Sequence, residues 1–193
     1  YDPASARTST AAADRVLAFV RDHALIVGWL LETHAHADHL TSAAYLKRET
    51  GAKVAIGRGI TQVQERFKAL YGLEPEFATD GRQFDQLFAD GDMFAIGELK
   101  TRAIATPGHT DDSLTYLVGD AAFVGDTVFA PETGTARVDF PGGDARKLYR
   151  SIRTLFDLPA DTRLFLCHDY PPAGREAHAQ SSLDEQKQRN VHV

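Results

Sequence analysis

Apolar positions along the chain follow both helical and extended patterns, which predicts a mixed α/β (α+β) fold. Segments with apolar residues every three or four positions predict helices from Ser9 or Thr10, over 38–50, around 63–71, from Asp144, and from Ser182 to about Asn190. Apolar runs bounded by turns predict strands at 25–33, 53–56, 84–88, 93–96, 99–106, 114–118, 121–124 and 163–167. The first and last of these strands are largely apolar, which is typical of strands buried on both faces.

Length and composition are those of a globular protein. The chain has 193 residues, of which 43% are hydrophobic, and can bury a sizeable core. Its formal net charge of −6 argues against general binding to nucleic acid or acidic membranes. No apolar run reaches the ~18 residues that a membrane span needs. We therefore expect a single domain over residues 1–193, with no nucleic-acid or membrane partner. Residues 1–10 lack the apolar stretch of a targeting signal, which favours the cytoplasm.

Three residue counts narrow the picture further. One Cys cannot form an intramolecular disulfide or a Cys-rich zinc site, whereas eight His make metal or acid–base chemistry worth testing. The one Met stands at position 93, so Tyr1 is not a natural start. We expect a chain that is trimmed at its N-terminus, and truncation at its C-terminus stays open.

The densest group of candidate ligands is the segment THAHADH at positions 33–39. It follows a predicted buried strand and opens a predicted helix. His34 and His36 can therefore point to one side of the loop, while Asp38 and His39 face a second position. Imidazole and carboxylate ligands without thiolate suit zinc, iron or manganese. A solvated loop that caps a helix is the alternative, but gathering three His and one Asp without a cation is costly.

Three further segments place a His or an Asp directly after a predicted strand. They are His109 in TPGHT, Asp126 in VGDT and His168 in LCHDY. Each signal is weak alone, because a single His or Gly-Asp at such a place is more often structural. Together they put every candidate at the carboxyl end of a strand, where the loops of α/β proteins build their sites.

The ordered set of H-x-H-x-D-H, Pro-Gly-His, Gly-Asp and a late His resembles the metallo-β-lactamase superfamily. The resemblance spans residues 34–168 and implies an αββα sandwich with a metal site at one edge, between the two sheets. It also implies a first metal position surrounded by His34, His36, His109 and Asp126. A second position would be surrounded by Asp38, His39, Asp126 and His168, with Asp126 bridging. The family normally begins with a β-hairpin, so we expect such a hairpin to be missing from this chain.

Two kinds of chemistry follow from this resemblance. Dinuclear zinc hydrolases of the superfamily activate a bridging water and polarise a carbonyl. Its persulfide dioxygenase branch holds one ferrous iron with two His and one carboxylate, which here would be His34, His109 and Asp126. In that branch the remaining candidates would instead orient the ligands through hydrogen bonds; these are His36, Asp38, His39 and His168.

The later segments favour the dioxygenase branch. GTARVDF at 134–140, followed by PGGD and LYRS, resembles that branch's GRTDF, GG and LY-S stretch, and HDY at 168–170 resembles its HDY. Ala136 and Val138 depart from the motif. These departures, with the long stretch 57–92, resemble a bacterial β-lactamase hydrolase-like subgroup. They bear on the identity of the thiol carrier more than on the chemistry.

Four residues beside these motifs are candidates for substrate binding or support. Arg137 could clamp a substrate carboxylate, or form an ion pair with nearby Asp139 or Asp144. Tyr170 could reach the substrate or simply pack. Asp139 and Asp169 would support the site, and Asp169 either orients a ligand His or caps the following turn.

We expect the remaining candidate residues to have structural roles only. Strand alternation predicts that Cys167 points into the core, as a small buried hydrophobe, while His168 points to the site. No motif surrounds the other His residues, and we expect them to face solvent: His23, His178 and His192. Asp111 and Asp112 are expected only to start the turn after His109.

The leading hypothesis is an iron(II)-dependent persulfide dioxygenase with one Fe(II) per chain. It would oxidise a small persulfide, such as glutathione persulfide, with O2 to sulfite and a thiol. The alternative is a dinuclear zinc hydrolase of the glyoxalase II type, which cleaves thioesters or lactones. A third class, a metal-binding or sulfur-sensing module without activity, is disfavoured by the intact ligand set. An exposed sheet edge also predicts a homodimer.

Overall fold

The computed structural model describes residues 2, 4–35, 40–171 and 173–193. Within them the chain forms helices α1 (Ala11–Asp22), α2 (Ala43–Thr50), α3 (Ile60–Tyr71), α4 (Ala145–Phe156) and α5 (Leu183–Arg189). The strands are β1 (Trp29–Leu31), β2 (Lys53–Gly57), β3 (Gln86–Phe88), β4 (Met93–Ile96), β5 (Leu99–Ala105), β6 (Leu114–Val118), β7 (Ala121–Phe123), β8 (Arg163–Phe165) and β9 (Gln180–Ser182). None of the described helices combines the length and the apolar character that crossing a membrane would require.

Two sheets organise these elements. Strands β1, β2 and β3 form a three-stranded parallel sheet in that order. Strands β4 to β9 form a six-stranded sheet in chain order, with antiparallel neighbours except for the parallel pair β7 and β8. Helix α4 lies between β7 and β8 in the chain, as a parallel crossover requires.

Alternation along β2 shows how the layers stack. Ala55 belongs to a core cluster with Ala103 and Tyr116 of the large sheet, whereas its neighbour Ile56 packs with Ile60 of α3. Since successive strand residues face opposite sides, the small sheet has the large sheet on one face and α3 on the other. A third cluster joins β7 and β8 to α4 and α5. The layers are therefore helix, sheet, sheet and helix, which confirms the predicted αββα sandwich.

The predicted strand at 25–33 is too long. Only Trp29–Leu31 pairs with β2, and these three residues are half-buried. Leu25 is 52% and Ile26 96% exposed. The run is thus neither a single strand nor fully covered by the chain, and burial on both faces was the wrong interpretation of it.

Three other expectations need correction at the level of elements. Helix α2 begins at Ala43, after Ser42, and not near position 38. In α1, Val16 is 53% exposed, and only Ala13 and Leu17 of the predicted face are fully buried. The short strand β9 was not predicted, because its sequence QSS has no apolar alternation.

Candidate metal centre

His34 stands three residues after β1, on a segment that both sheets hold. The Glu32 N–H donates to the Ala55 carbonyl of the small sheet over 2.9 Å, and the Leu114 N–H of the large sheet donates to the Thr33 carbonyl over 2.8 Å. His34 itself is buried. Backbone bonds to two sheets therefore fix the chain where it delivers this side chain.

His109 is delivered by a tight turn after β5. Gly108 has a φ of +143°, and a Cβ at this position would lie 2.3 Å from the backbone nitrogen of Leu148 in α4. Only glycine allows this approach, because any side chain would collide with the helix. The Asp144 N–H, at the start of the same helix, donates to the Gly108 carbonyl over 2.8 Å. The turn is thus clamped to α4, and His109 lies buried beside it.

Asp126 follows β7 and reaches the segment of His34 because Gly125 precedes it. Gly125 has a φ of +54°, and a Cβ there would lie 2.8 Å from the side chain of Thr33. The absence of a side chain lets the two strand ends meet. Asp126 is only 4% exposed, which is rare for a carboxylate that lacks cationic partners or a metal.

Three imidazoles surround one oxygen of this carboxylate. Asp126 Oδ2 lies 3.6 Å from His34 Nε2, 3.4 Å from His109 Nε2 and 3.5 Å from His168 Nε2. The ligand atoms of His34, His109 and Asp126 all lie within 4.8 Å of one another, which makes them a group that could hold a metal ion. His168, 28% exposed at its side chain, does not join this group and so approaches Asp126 from another side.

The donor set and its spacing fit a first-row metal ion. Two ligand atoms about 2.1 Å from one ion lie about 3.0–3.4 Å apart at octahedral or tetrahedral angles. The distances from Asp126 to His34 and His109 are at or just above this range. Two imidazole nitrogens and one carboxylate oxygen are found around both zinc and non-haem iron, so the group accommodates either.

A hydrogen bond on the far side of the ring orients His109. Its Nδ1 lies 2.9 Å from the Arg137 carbonyl oxygen. A carbonyl can only accept, so Nδ1 carries the proton and Nε2 presents its lone pair toward Asp126. This is the arrangement that ligand histidines use, in which the second nitrogen is held by a backbone carbonyl.

A pocket of about 450 Å³ opens on this centre. His109 and Asp126 contribute to it, and its other walls come from the segments after β7 and β8: Phe129, Thr133, Thr135, Ala136, Arg137, Phe140 and Tyr170. Phe140 packs edge-on against His109, with ring centroids 5.1 Å apart. Aromatic rings and hydroxyl groups together suit a small molecule with apolar and polar parts.

Arg137 lines this pocket, but it also forms the ion pair that the sequence left as an alternative. Its Nε and one terminal nitrogen donate to the two carboxylate oxygens of Asp139 over 2.7 and 2.9 Å. Both side chains are exposed, so the pair contributes little to stability. A role in holding substrate stays a prediction for Arg137 and a supporting role stays one for Asp139.

Asp169 braces the chain after His168. It accepts two hydrogen bonds from Arg175, each of 2.7 Å, and one from the His178 N–H over 2.7 Å. The Arg175 guanidinium lowers the pKa of Asp169 to about 2. These contacts match the turn-capping alternative, and the described contacts of Asp169 do not include a ligand histidine.

Tyr170 combines packing with a place in the pocket wall. Its ring stacks on His168 with centroids 5.8 Å apart and meets Phe129 edge-on at 5.9 Å. The residue stays 62% exposed. Its side chain therefore covers His168 and remains available to a bound molecule.

The other three predicted ligands lie outside the described residues. They are His36, Asp38 and His39. The structure describes the chain up to Ala35 and again from Leu40. The part of these three residues in the centre, or in a second metal position, stays a prediction.

The prediction for Cys167 is wrong. The residue is exposed and not part of the core, because β8 ends at Phe165 and strict alternation stops there. The residue as a whole is exposed, but the chain around its thiol still displaces water, and this desolvation raises the pKa of the Cys167 thiol to about 11. The thiolate is therefore scarce at neutral pH, which argues against a reactive role.

Two acidic residues do more than start a turn. Asp112 is 1% exposed, and its Oδ2 accepts a 2.8 Å hydrogen bond from the Ala35 N–H, beside His34. Asp111 pairs with Arg66 and, over 3.1 Å, with Lys147. Two adjacent Asp residues after a Pro-Gly-His turn were the available signal, but Asp is so common in turns that the signal was hidden.

The model of the metallo-beta-lactamase superfamily matches residues 1–168. The chain belongs to this superfamily. The superfamily is one of metal-binding enzymes, and His34, His109 and Asp126 form a group that could hold a metal ion.

Curated relatives extend beyond the length of this chain. A probable metallo-hydrolase from Burkholderia pseudomallei is 52% identical over 100% of the chain and 69% of its own length. A beta-lactamase hydrolase-like protein from Xylella fastidiosa is 50% identical over 100% of the chain, which spans only 44% of that relative. The human mitochondrial persulfide dioxygenase ETHE1 is 30% identical over 82% of the chain and 55% of its own length.

Among solved structures, that of ETHE1 from Myxococcus xanthus is similar to this chain. It has a TM-score of 0.74 and 34% sequence identity, over 94% of this chain and 69% of that one. The likeness extends over nearly the whole chain, which confirms the sandwich architecture of the superfamily. It also supports the resemblance to the persulfide dioxygenase branch.

Proposed function

We propose that the chain is an iron(II)-dependent dioxygenase that oxidises a low-molecular-weight persulfide to sulfite and a thiol. The observation that carries this proposal is the buried group of His34, His109 and Asp126 beside an open pocket. Two histidines and one carboxylate are the ligand set of non-haem iron oxygenases. The likeness to a human persulfide dioxygenase and to a bacterial ETHE1 structure supports the same branch.

The reaction balances with dioxygen as the oxidant: R–S–SH + O2 + H2O gives R–SH + H2SO3. The terminal sulfur is oxidised, the S–S bond breaks, and the inner sulfur leaves as a thiol. Ferrous iron bound at the centre would supply electrons to dioxygen, which zinc with its filled d shell does not. The chain itself offers no second thiol that could relay sulfur, since Cys167 is its only cysteine.

The residues around the centre have separate tasks in this proposal. His109 presents Nε2 because its Nδ1 is held by the Arg137 carbonyl. The rings of Phe129 and Phe140 exclude water from the inner pocket, and Thr135 offers a hydroxyl on its wall. Arg137 would leave its exposed partner Asp139 to bind a carboxylate of the thiol carrier.

Oxygen consumption tests the proposal. The purified chain is loaded anaerobically with Fe(II), and uptake of O2 is followed after addition of glutathione persulfide, with a zinc-loaded sample as the control. We expect uptake and sulfite formation only in the iron-loaded sample. Tightly bound zinc, with no oxygen uptake after iron loading, would overturn the proposal.

One observation favours a dinuclear zinc hydrolase as the second candidate. His168 Nε2 lies 3.5 Å from the same Asp126 oxygen that His34 and His109 approach, so Asp126 stands between two sets of imidazoles. A carboxylate in that place can bridge two ions. The name of the Burkholderia relative, a probable metallo-hydrolase, supports the same candidate. Two metals per chain, with thioester cleavage that is lost in His168→Ala, would establish it.

A further inference from the structure

We propose that Asp112 is a positioning residue, whose carboxylate holds the peptide of Ala35 and thereby fixes His34 for metal binding. The inference rests on the metal-binding role proposed above for His34, His109 and Asp126. Asp112 belongs to none of the ligand segments, and it would act on the metal only through the backbone beside a ligand.

The tie between Asp112 and Ala35 is a long-range bond to a buried carboxylate. The Ala35 N–H donates to Asp112 Oδ2 over 2.8 Å, across 77 positions of the chain. Asp112 is 1% exposed. Burying a carboxylate is costly, and a turn of the chain can be built without one. The bond to the Ala35 N–H therefore explains why a carboxylate is buried at this position.

The backbone that carries Asp112 is itself immobilised against the small sheet. A Cβ on Gly57 would lie 2.1 Å from the carbonyl oxygen of Asp112, and one on Gly59 would lie 2.1 Å from that of Asp111. The backbone of the two acidic residues thus lies directly against the last residue of β2 and the residue before α3, with no room for a side chain at either glycine. Asp112 has a rigid base from which to hold the ligand segment.

Two bonds from the same stretch of chain then enclose His34. The Leu114 N–H donates to the Thr33 carbonyl before it, and Asp112 accepts from the Ala35 N–H after it. With one bond on each side, the peptide units of His34 cannot turn without breaking one of them. Because the segment is already ordered, metal binding costs less conformational entropy. Loss of the Asp112 bond should therefore lower the affinity for metal.

Competition with a chromophoric chelator measures this effect with zinc as the probe. Asp112→Ala removes the acceptor, whereas Asp112→Asn keeps an acceptor oxygen without the charge. Asp92→Ala is the matched control, because Asp92 also accepts a 2.8 Å bond from a backbone N–H, that of Ala89, but away from the ligand segment. The free energy of unfolding of each variant, measured in the presence of chelator, shows whether a loss of affinity reflects a less stable metal-free fold.

We expect Asp112→Ala to weaken zinc binding about 10- to 100-fold, as for other residues that support metal ligands. Asp112→Asn and Asp92→Ala should stay within about threefold of the wild type. Unchanged affinity in Asp112→Ala would overturn the inference, and so would equal losses in the Ala and Asn variants. If Asp112→Ala does not fold, Asp112→Ser decides in the same way, since its hydroxyl is too short to reach Ala35.

The outcome for the wild type separates this inference from the proposed function. A wild-type chain that binds no zinc or iron would overturn the metal centre and this inference with it. A wild-type chain that binds metal, alongside an Asp112→Ala variant of equal affinity, would overturn only the role of Asp112.

Discussion

Asp126 is the residue on which the candidate centre depends most. Imidazole nitrogens of His34, His109 and His168 lie 3.4 to 3.6 Å from one of its oxygens, and the carboxylate is buried among them. Its position depends in turn on Gly125, which lets the chain pass against Thr33. A small residue next to the carboxylate thus determines whether two strand ends can share a metal.

Removing a proposed ligand should abolish tight metal binding. We expect His34→Ala and His109→Ala each to weaken binding more than about 100-fold, beyond the loss typical of residues that only support ligands. His23→Ala is the matched control, because the described hydrogen bond of the His23 side chain is to the Phe19 carbonyl, within its own helix turn. Metal content after dialysis, measured by mass spectrometry, checks this prediction. Full metal content in either ligand variant would refute the assignment.

Asp112 should also give the metal-depleted chain a distinct pH dependence. Burial raises the pKa of Asp112 from 3.8 to about 6. Between these two pH values the folded state keeps a proton on Asp112 that the unfolded state has lost. Stability therefore falls as the pH rises from about 4 to above 6, by on the order of 3 kcal/mol in total. Asp112→Asn has no charge to bury and should lack this loss.

Urea unfolding of both chains in chelator checks the effect at several pH values. The Asn variant should gain stability relative to the wild type as the pH rises from 4 to 7. A difference between the two chains that stays constant over this range would contradict the raised pKa.

The last helix and the residues after it shape the pocket. The Gln186 side chain donates to the Phe129 carbonyl over 2.8 Å, and Asn190 donates to the Gly134 carbonyl over 3.0 Å. The Thr135 N–H donates to Nδ1 of His192 over 3.1 Å, so this histidine, which is exposed as expected, also bonds to the chain of the pocket wall. These bonds tie α5 to the segment 129–135, which forms one wall of the pocket.

Loss of this tie should loosen the pocket wall without touching the metal ligands. We expect Asn190→Ala to speed amide exchange of residues 129–135 about tenfold, because it removes the side-chain donor to the Gly134 carbonyl and leaves only the Phe129 N–H bonded there. Gln188→Ala is the matched control, since the described side-chain bond of Gln188 is to Asp184 on the same helix. Exchange detected by mass spectrometry reports the change. Equal exchange in both variants would show that α5 does not hold this wall.

The sequence correctly predicted helix ends and strand ends, because residues close together in the chain determine them. Asp144 was expected to cap a helix, and it accepts from the Arg146 and Lys147 N–H groups at the start of α4. The stripe that ends at Gly72 is α3, and Gly72 has the left-handed conformation of a helix C-terminus. Placing the ligand candidates after strands was also correct, since turns and apolar runs mark where strands end.

The features that were missed depend on residues far apart in the chain. Asp112 meets Ala35 across 77 positions, and His192 meets Thr135 across 57. No local pattern reports such contacts. Likewise, the exposure of Leu25, Ile26 and Cys167 depends on which parts of the fold cover them. An apolar run in the sequence cannot predict that coverage.

Exposed apolar residues on α1 and before the edge strand β1 predict self-association. Phe19 and Leu25 are more than half exposed and Ile26 is 96% exposed, near the edge strand β1. Such patches and open edges favour contact between copies. We expect sedimentation to show a concentration-dependent dimer that Ile26→Lys weakens. Val191→Lys, at another exposed apolar position, should leave it unchanged. A monomer at all concentrations would contradict this expectation.

The centre joins the two sheets of the molecule, because its residues follow β1 in the small sheet and β5, β7 and β8 in the large one. The measurement that tests its proposed chemistry most directly is the stoichiometry of the iron-loaded chain. We predict one iron per chain and, for each persulfide consumed, one O2 taken up and one sulfite formed. Persulfide left intact in air, with two zinc ions per chain and rapid thioester cleavage, would contradict the account.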